Sequence, residues 1–364
     1  MPQLAALTSL RFFAAFSIAI FHLQGIGFGK AYEPLALGVS FFFVLSGFVL
    51  TYAYGGRGDV KLRTFFVNRL ARIWPSHLVT AAVALALFHS GMIYSADWYP
   101  YVLTNLFMLH AWVPTSGHVF SLNAVTWSIS AEMAFYAGFP LVLVARRPLV
   151  VLACILTVTM LGVGLPDYGP ELGRTDMWAF SPQVLIQQSP FIRFAEFVAG
   201  VVVGRAWLAG WRLRLSVRWM TVAELVAVAA VLVFALTSLT VRAALGTNGQ
   251  AIGLWYSQSG GFVWFCLLVF VFAHQRGQIS KWLGHPFLVL LGKVSFSFYL
   301  VHLLVMMWAQ REGWIDQLGY SGAGFAIALI SAISAFALWY FVEVPAQRVL
   351  AMRPRPLAVK AASI

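Results

Sequence analysis

Arg11 and His22 are the first residues of the sequence whose types and spacing could do chemistry. Both lie in an apolar stretch near the N-terminus, eleven residues apart. At about 100° per residue this spacing is three helical turns, so the two side chains share one helix face, about 16 Å apart along the axis. Such a face could bind an anion and move a proton. The structural alternative is an arginine that snorkels to the headgroups and a histidine hydrogen-bonded between helices.

Arg69 and Arg72 form a second pair of cations, in the segment Asn68-Arg69-Leu70-Ala71-Arg72. Residues three apart are neighbours on one helix face. Two adjacent guanidiniums suit an anionic phosphate, whose oxygens they can bind in bidentate fashion. The alternative is an ordinary basic anchor at the cytoplasmic face of a membrane.

Glu132 is a carboxylate at the mouth of an apolar stretch, in the segment Trp127-Ser128-Ile129-Ser130-Ala131-Glu132, with Tyr136 following one turn later. A charged group in a membrane span costs about 3 kcal/mol on insertion scales, so it needs a partner or a purpose. Glu132 could orient an imidazole or pair with Arg11 or Arg193, and a purely structural ion pair is the alternative.

A polar seam lies near the C-terminus of the chain. Ser295, Ser297, Tyr299 and His302 fall in one apolar stretch, where Tyr299 and His302, three apart, share a helix face, and Glu343 stands two residues before Pro345. From the residues alone, a packed polar seam is favoured here over direct catalysis.

The composition identifies the chain as an all-α integral membrane protein. Of its 364 residues, 61% are hydrophobic and 10% are charged, whereas soluble domains are about 25% charged. The first apolar stretch lacks a basic lead-in and a small-residue cleavage site, so we interpret it as a span and not a signal peptide.

Ten apolar stretches approach the length of about 20 residues that a transmembrane helix needs. The predicted spans are 7–27, 36–54, 73–92, 129–145, 149–165, 191–209, 219–241, 256–274, 287–308 and 322–342.

Basic residues between these stretches indicate the orientation. With the N-terminus in the cytoplasm, 17 lysines and arginines fall in inner segments and four in outer ones: Lys30, Arg174, Arg242 and Arg311. The positive-inside rule expects this asymmetry. We therefore predict that both termini are cytoplasmic, with one membrane domain at 1–345 and a basic cytoplasmic tail at 346–364.

The longest stretch between spans, 93–128, is predicted to be an external loop at the membrane interface, where aromatic rings favour the headgroup level. A substrate could be held there by its aromatic and histidine side chains: Trp98, Tyr99, Tyr101, His110, Trp112 and His118.

Several function classes have no support in the sequence. His22, His302 and Glu132 lack metal-ligand spacing, so no metal site is predicted. Gly55-Gly56-Arg57-Gly58 lacks the lysine of a nucleotide-binding loop. Cys154 and Cys266 lie in apolar runs and are expected to be packing residues. The net charge of +12 is spread over short segments, which does not indicate nucleic-acid binding.

Together these segments resemble the membrane acyltransferase-3 family, multi-span O-acyltransferases that modify bacterial surface polysaccharides, lipopolysaccharide, Nod factors and some macrolides. In place of the second acidic residue that often follows the family's glutamate, this chain has Met133, so that position is given no role. Five segments carry the resemblance, in order along the chain: Leu7–Phe12 with His22 after ten intervening residues, Gly38–Phe48, Arg69–Arg72, Trp127–Glu132 with Tyr136, and Ser297–His302 with Glu343-Val344-Pro345.

The resemblance implies acetyl-CoA as the acyl donor on the cytoplasmic side, with no permanently bound cofactor. Arg69, Arg72 and Arg11 would hold the anionic CoA end. His22 would be the general base for the acceptor hydroxyl, or a covalent nucleophile, and Glu132 would orient or compensate it. Residues expected to contact the acceptor or to support these groups are Trp127, Ser128, Tyr136, Tyr299, His302 and Glu343.

The implied acceptor is an extracytoplasmic sugar, such as a lipid-linked exopolysaccharide repeat unit or another surface glycan, at the bacterial inner membrane. A multi-span transporter or flippase is the main alternative, because intramembrane charges also mark transport paths. The sequence shows no internal repeat of the transporter kind. A sensory or scaffold protein gives no reason for the shared face of Arg11 and His22.

Overall fold

The computed structural model describes residues 4–56, 61–89, 96–173, 176–246 and 249–352. In these ranges the chain is helical and contains no strand, which confirms the all-α fold class. The part of the predicted tail at 353–364 lies outside the described residues, as do five residues of the charge count: Arg57, Arg174, Arg353, Arg355 and Lys360.

The first half of the described chain contains long helices and, between them, short ones. In order they are α1 (Ala5–Gly25), α2 (Gly38–Tyr54), α3 (Leu62–Phe88), α4 (Tyr99–Leu106), α5 (Ser116–Val119), α6 (Trp127–Val144), α7 (Pro148–Gly164), α8 (Pro182–Gln188) and α9 (Pro190–Leu208).

The second half continues the bundle, and a π-helical turn at Trp339–Glu343 joins its last two helices. The helices are α10 (Val217–Ala244), α11 (Gln250–Ser259), α12 (Phe262–Phe272), α13 (Gln278–Leu283), α14 (Pro286–Arg311), α15 (Trp314–Leu338) and α16 (Val344–Leu350).

Each predicted span corresponds to helical chain in the described residues, and residues 90–92 of the third span lie outside them. Within the described ranges, eight segments are long and apolar enough to cross a membrane, α11 and α12 together forming one of them. The remaining two predictions match α7, which has 17 residues, and α9, which carries Arg193, Glu196 and Arg205. The chain is therefore a multi-pass membrane protein.

Some helices extend beyond the predicted spans, and α15, for example, begins at Trp314 and not near residue 322. The helix of the third span begins at Leu62 and not near residue 73, so Arg69 and Arg72 lie inside it. The stretch 93–128 contains the short helices α4 and α5. The predicted tail begins as helix α16, and Asn68 holds Met352 through two hydrogen bonds of 3.1 and 2.7 Å, so the chain up to residue 352 packs on α3.

The loops of the bundle gather at two ends. One end, here called the basic end, contains residues 55–56 and 61, just before α3, and the connections at 145–147, 209–216 and 273–285. The opposite end contains the connections at 26–37, 96–126 and 165–181. Arg205 donates to the carbonyls of Leu143 and Ala145 at the basic end, while Gly117 donates to Met177 at the opposite end.

Glycines allow some helices of the bundle to pack with their backbones in close contact. A Cβ at Gly47 of α2 would collide with the Phe197 carbonyl of α9, and a Cβ at Gly200 would collide with the Val44 carbonyl of α2. Gly292 likewise brings α14 against the Thr8 carbonyl of α1. Such contacts between backbones stabilise helix pairs in membranes, where burying apolar surface gives no net gain.

Candidate active site

A cavity of about 370 Å³ lies among α1, α2, α3, α6 and α14. On α2 it reaches from Val39 to Ala53, and at about 1.5 Å per residue this is about 21 Å along the helix axis. The cavity therefore runs from the basic end through a large part of the bundle. Its polar lining consists of Thr8, Arg11, Ser46, Tyr52, Arg69, Arg72, Ser128, Glu132, Tyr136 and Tyr299.

Three arginines contribute positive charge to the cavity. Arg69 and Arg72 are placed by the early part of α3, and Arg11 by α1. The Arg69 guanidinium carbon is 5.9 Å from the centroid of the Tyr136 ring. Its Nε is buried and has no hydrogen-bond partner among the described residues. A buried cationic donor without an acceptor is costly, and an anionic ligand would satisfy it.

Glu132 faces the same cavity and accepts hydrogen bonds from two side-chain hydroxyls. Its Oε1 accepts from the Ser46 hydroxyl at 2.6 Å and from the Tyr136 hydroxyl at 2.5 Å. Tyr136 lies one helical turn along α6, so the helix itself brings these two groups together. The Glu132 carboxylate is also one of the charges that act on the Arg11 guanidinium.

Arg193, the other partner considered for Glu132, has a carboxylate of its own. Its Nε lies 3.0 Å from Glu196 Oε1, one turn along α9, and both side chains are buried. Arg193 also donates to the hydroxyls of Ser40 and Ser259 at 3.1 and 2.9 Å. Glu196 was missed in the sequence, although its spacing of three from Arg193 is the signal that could have found it.

His22 is hydrogen-bonded to His302 where α1 contacts α14. His22 Nδ1 and His302 Nε2 are 2.9 Å apart, and the ring centroids are 5.1 Å apart. His302 is fully buried, whereas His22 is only half-buried. The partner that orients the His22 imidazole is thus His302, while the hydrogen bonds of Glu132 go to Ser46 and Tyr136.

The direction of the His22–His302 hydrogen bond follows from a backbone carbonyl. His302 Nδ1 lies 3.2 Å from the Phe298 carbonyl oxygen, one turn earlier in α14. Since a carbonyl only accepts, His302 Nδ1 carries the hydrogen and, in the neutral ring, Nε2 carries the lone pair. His22 Nδ1–H must then donate to that lone pair. The neutral His22 is left with its own lone pair on Nε2, the arrangement of a general base.

Tyr299 connects the cavity with the histidine pair. Its ring lines the cavity, and its centroid is 5.8 Å from that of His302. The Tyr299 hydroxyl lies 2.8 Å from the Ser128 hydroxyl and 2.9 Å from the Val125 carbonyl oxygen. His22 itself does not line the cavity, and the rings of Tyr299 and His302 connect it to the cavity's far end.

Glu343 is held at the basic end of the bundle by the π-helical turn. It is buried and accepts from Ser297 at 2.8 Å and from Gln347 at 3.2 Å. The charges of Arg72 and Arg11 act on it. Since π-helical turns are frequent at functional sites, this turn accords with a supporting role for Glu343 beside the arginines.

Trp127 lies between the cavity and the buried ion pair. Its ring is 5.9 Å from the Arg193 guanidinium carbon and 6.3 Å from the Phe43 ring. These contacts fix the indole at the start of α6. The expectation that Trp127 also stacks on a sugar stays a prediction.

The segment 96–126 is folded at the opposite end of the bundle. Trp98, Tyr101 and Trp178 pack together with centroids 5.0 to 5.5 Å apart, and Trp98 and Tyr101 border a small cavity of about 80 Å³. His110, expected at the interface, is instead fully buried. Burial, with the neighbouring His77 adding to it, lowers the pKa of His110 to about 3.

Comparisons with known proteins identify the family of the chain. A family model described as "Acyltransferase domain" matches residues 4–344. "Acyltransferase MdmB" of Streptomyces mycarofaciens is 28% identical, over 98% of this chain and 94% of the relative. "Exopolysaccharide production protein ExoZ" of Rhizobium meliloti (strain 1021) is 26% identical, over 86% and 90%.

A third relative is longer than this chain. "Putative O-acetyltransferase SACOL0978" of Staphylococcus aureus (strain COL) is 24% identical over 95% of this chain, which spans 57% of that relative. No solved structure matches this chain significantly.

Proposed function

Because the chain belongs to the acyltransferase-3 family and is an acyltransferase, we propose that it transfers an acetyl group from cytoplasmic acetyl-CoA to a sugar hydroxyl on the other side of the membrane. The observation that carries the proposal is the cavity itself. It has arginines toward the basic end and the His22–His302 pair beyond Tyr299.

The donor binds with its phosphates toward the basic end of the cavity. Arg69 and Arg72 are adjacent on α3, Arg11 faces them from α1, and Arg69 Nε has no partner among the described residues. The positive-inside rule makes the basic end cytoplasmic, which is the compartment of acetyl-CoA. The apolar residues that line the rest of the cavity then suit the pantetheine arm, which brings the thioester toward Tyr299.

The free Nε2 lone pair of His22 performs the proton transfer. The acceptor oxygen attacks the thioester carbon while its proton passes to His22 Nε2, which gives a tetrahedral intermediate and an imidazolium. The intermediate collapses, the carbon–sulfur bond breaks, and the leaving sulfur takes the proton from His22. The products are the acetyl ester and CoA, and His22 returns to its starting tautomer.

The acceptor is a surface glycan or its lipid-linked precursor at the bacterial inner membrane. Support comes from the relative named for exopolysaccharide production and from aromatic residues at the opposite end of the bundle, where Tyr99 and Trp178 are more than half exposed. Aromatic faces of this kind suit sugar rings as well as headgroups.

Sealed membrane vesicles of opposite orientation test the proposal. Radiolabelled acetyl-CoA, which does not cross a membrane, is added outside vesicles that contain this protein and the glycans of the expressing strain. We expect labelled glycan from inverted vesicles and none from right-side-out ones. Labelling only in right-side-out vesicles would reverse the proposed orientation, and glycan movement without labelling in either would favour the transporter alternative.

A further inference from the structure

Two hydroxyls at the far end of the cavity share one backbone carbonyl. Ser128 Oγ lies 3.1 Å and the Tyr299 hydroxyl 2.9 Å from the Val125 oxygen, and the two hydroxyls lie 2.8 Å apart. Both side chains line the cavity, and both are buried.

Only one of these two hydroxyl donors is needed to satisfy the Val125 carbonyl, so the other donor is spare. Each hydroxyl carries a single hydrogen and can also accept. The Val125 carbonyl is satisfied when either hydroxyl donates to it. The other hydroxyl can then donate to its neighbour or, after rotation about one bond, to a third group in the cavity. Such a rotation leaves no buried carbonyl unpaired, so it avoids the usual penalty of breaking a buried hydrogen bond.

The position of the pair matches where negative charge develops in acyl transfer. The Tyr299 ring adjoins His302, and His302 holds the base His22. Attack on a thioester turns its carbonyl oxygen into an oxyanion, and hydrogen-bond donors that are already in place stabilise that charge. Arg11, Arg69 and Arg72 are assigned to the donor's phosphates, whereas the hydroxyl pair lies at the end of the cavity that meets the histidines.

We propose that Ser128 and Tyr299 form the oxyanion-binding site of the enzyme. This inference rests on the proposed function. As the acceptor oxygen bonds to the thioester carbon and its proton moves to His22 Nε2, the former carbonyl oxygen takes the electron pair of its double bond and receives a hydrogen bond from the spare hydroxyl. When the carbon–sulfur bond breaks, the carbonyl re-forms and the hydroxyl returns to its neighbour.

The test compares Ser128→Ala, Tyr299→Phe and the double variant, in the full chain reconstituted with a glycan-containing membrane extract. Free thiol released from acetyl-CoA is measured. Removal of an oxyanion donor typically costs about 10²-fold or more in kcat. Because one hydroxyl can replace the other, we expect each single variant to lose about tenfold and the double variant at least about 100-fold in kcat. The KM for acetyl-CoA should stay unchanged.

Matched controls remove hydroxyls that are bonded in the same way elsewhere. Tyr32 donates to the Ala235 carbonyl at 3.0 Å, and Ser257 donates to Leu254 at 3.1 Å. Tyr32→Phe and Ser257→Ala should keep wild-type kcat. If the double variant fails to fold, the two single variants decide, since each keeps a donor for Val125.

The outcomes separate this inference from the proposed function. Wild-type protein that releases thiol, with both single variants at wild-type kcat, overturns the oxyanion site and leaves the acyltransferase proposal standing. A rise in KM without a fall in kcat would place the hydroxyls in donor binding and would also overturn it. Wild-type protein that releases no thiol from acetyl-CoA overturns the proposed donor and this inference together.

Discussion

His22 Nδ1 and His302 Nε2 lie 2.9 Å apart, so helices from opposite ends of the chain share one hydrogen bond beyond the far end of the cavity. The carbonyl of Phe298 fixes the tautomer of His302, and His302 in turn fixes that of His22. The position of the His22 lone pair is thereby set by His302.

Substitution of His302 should therefore act on the pH profile and on kcat. His302→Leu removes the acceptor for His22 Nδ1–H, and we expect kcat to fall about 100-fold, within the usual range for loss of general-base catalysis. His302→Gln retains an acceptor oxygen and should recover most of that loss. The measurement is thiol release from acetyl-CoA between pH 6 and 9. Equal losses in both variants, with unchanged pH profiles, would show that His302 only packs.

The two arginines of α3 should govern donor affinity. Arg69→Lys keeps the charge but loses the planar donor set, and Arg72→Ala loses both. A hydrogen bond to a charged group is worth about 1.5–3 kcal/mol, so the KM for acetyl-CoA should rise about 10-fold or more with little change in kcat. Arg63→Ala is the matched control, because Arg63 is exposed on the same helix. An equal rise in KM for Arg63→Ala would show that overall positive charge, and not contacts of Arg69 and Arg72 with the donor, causes the effect.

The contact of α2 with α9 should depend on Gly200. In Gly200→Ala the new methyl group would collide with the Val44 carbonyl, and overpacking of this kind typically costs about 1–3 kcal/mol. We expect a lower Tm in detergent and reduced activity, since α2 lines the cavity. Gly162→Ala, where nothing lies within 4 Å of the added atom, is the control and should keep or raise the Tm. Equal Tm values for the two variants would contradict this packing.

The pKa of His110 in the folded protein predicts how acid destabilises the fold. Burial, with His77 adding to it, lowers this pKa from 6.5 to about 3. The unfolded chain then binds the proton more readily, so the stabilisation from neutral His110 is present above pH 6.5 and is lost as the pH falls toward 3. Each pH unit in that window is worth about 1.4 kcal/mol. Replacing His110 with Gln should flatten the fall in Tm between pH 6.5 and 4.5. An unchanged slope would show that other groups cause it.

Much of the helical fold was predictable from the sequence, because bilayer thickness fixes the length of an apolar span. Helix starts were less predictable. The helix of Arg69 and Arg72 begins at Leu62, among polar residues that hydropathy does not assign to a span. The short helices between residues 96 and 126 were missed for the same reason, since interfacial segments lack long apolar runs.

The site was predictable where its residues are neighbours in sequence. Helical spacing correctly joined Arg69 with Arg72, and it places Glu132 beside Tyr136. Contacts between distant segments left no such signal. The bond of His22 to His302 spans 280 residues and that of Ser46 to Glu132 spans 86, and no periodicity relates such positions. The expected partnership of Glu132 with His22 also joined two distant segments. In the structure Glu132 is hydrogen-bonded to Ser46 and Tyr136, and His22 is hydrogen-bonded to His302.

If His22 is the base of an acetyl transfer, loss of its imidazole should stop the reaction. The measurement is labelled acetyl transfer from acetyl-CoA to glycan by membranes that contain wild type or His22→Ala. His285→Ser is the matched control, because that exposed histidine only caps α14 and serine can replace it. We predict labelled glycan from wild type and His285→Ser, and a loss of about 100-fold or more for well-expressed His22→Ala. Labelling by His22→Ala at the wild-type rate would contradict the base role of His22, which would then be only a structural partner of His302.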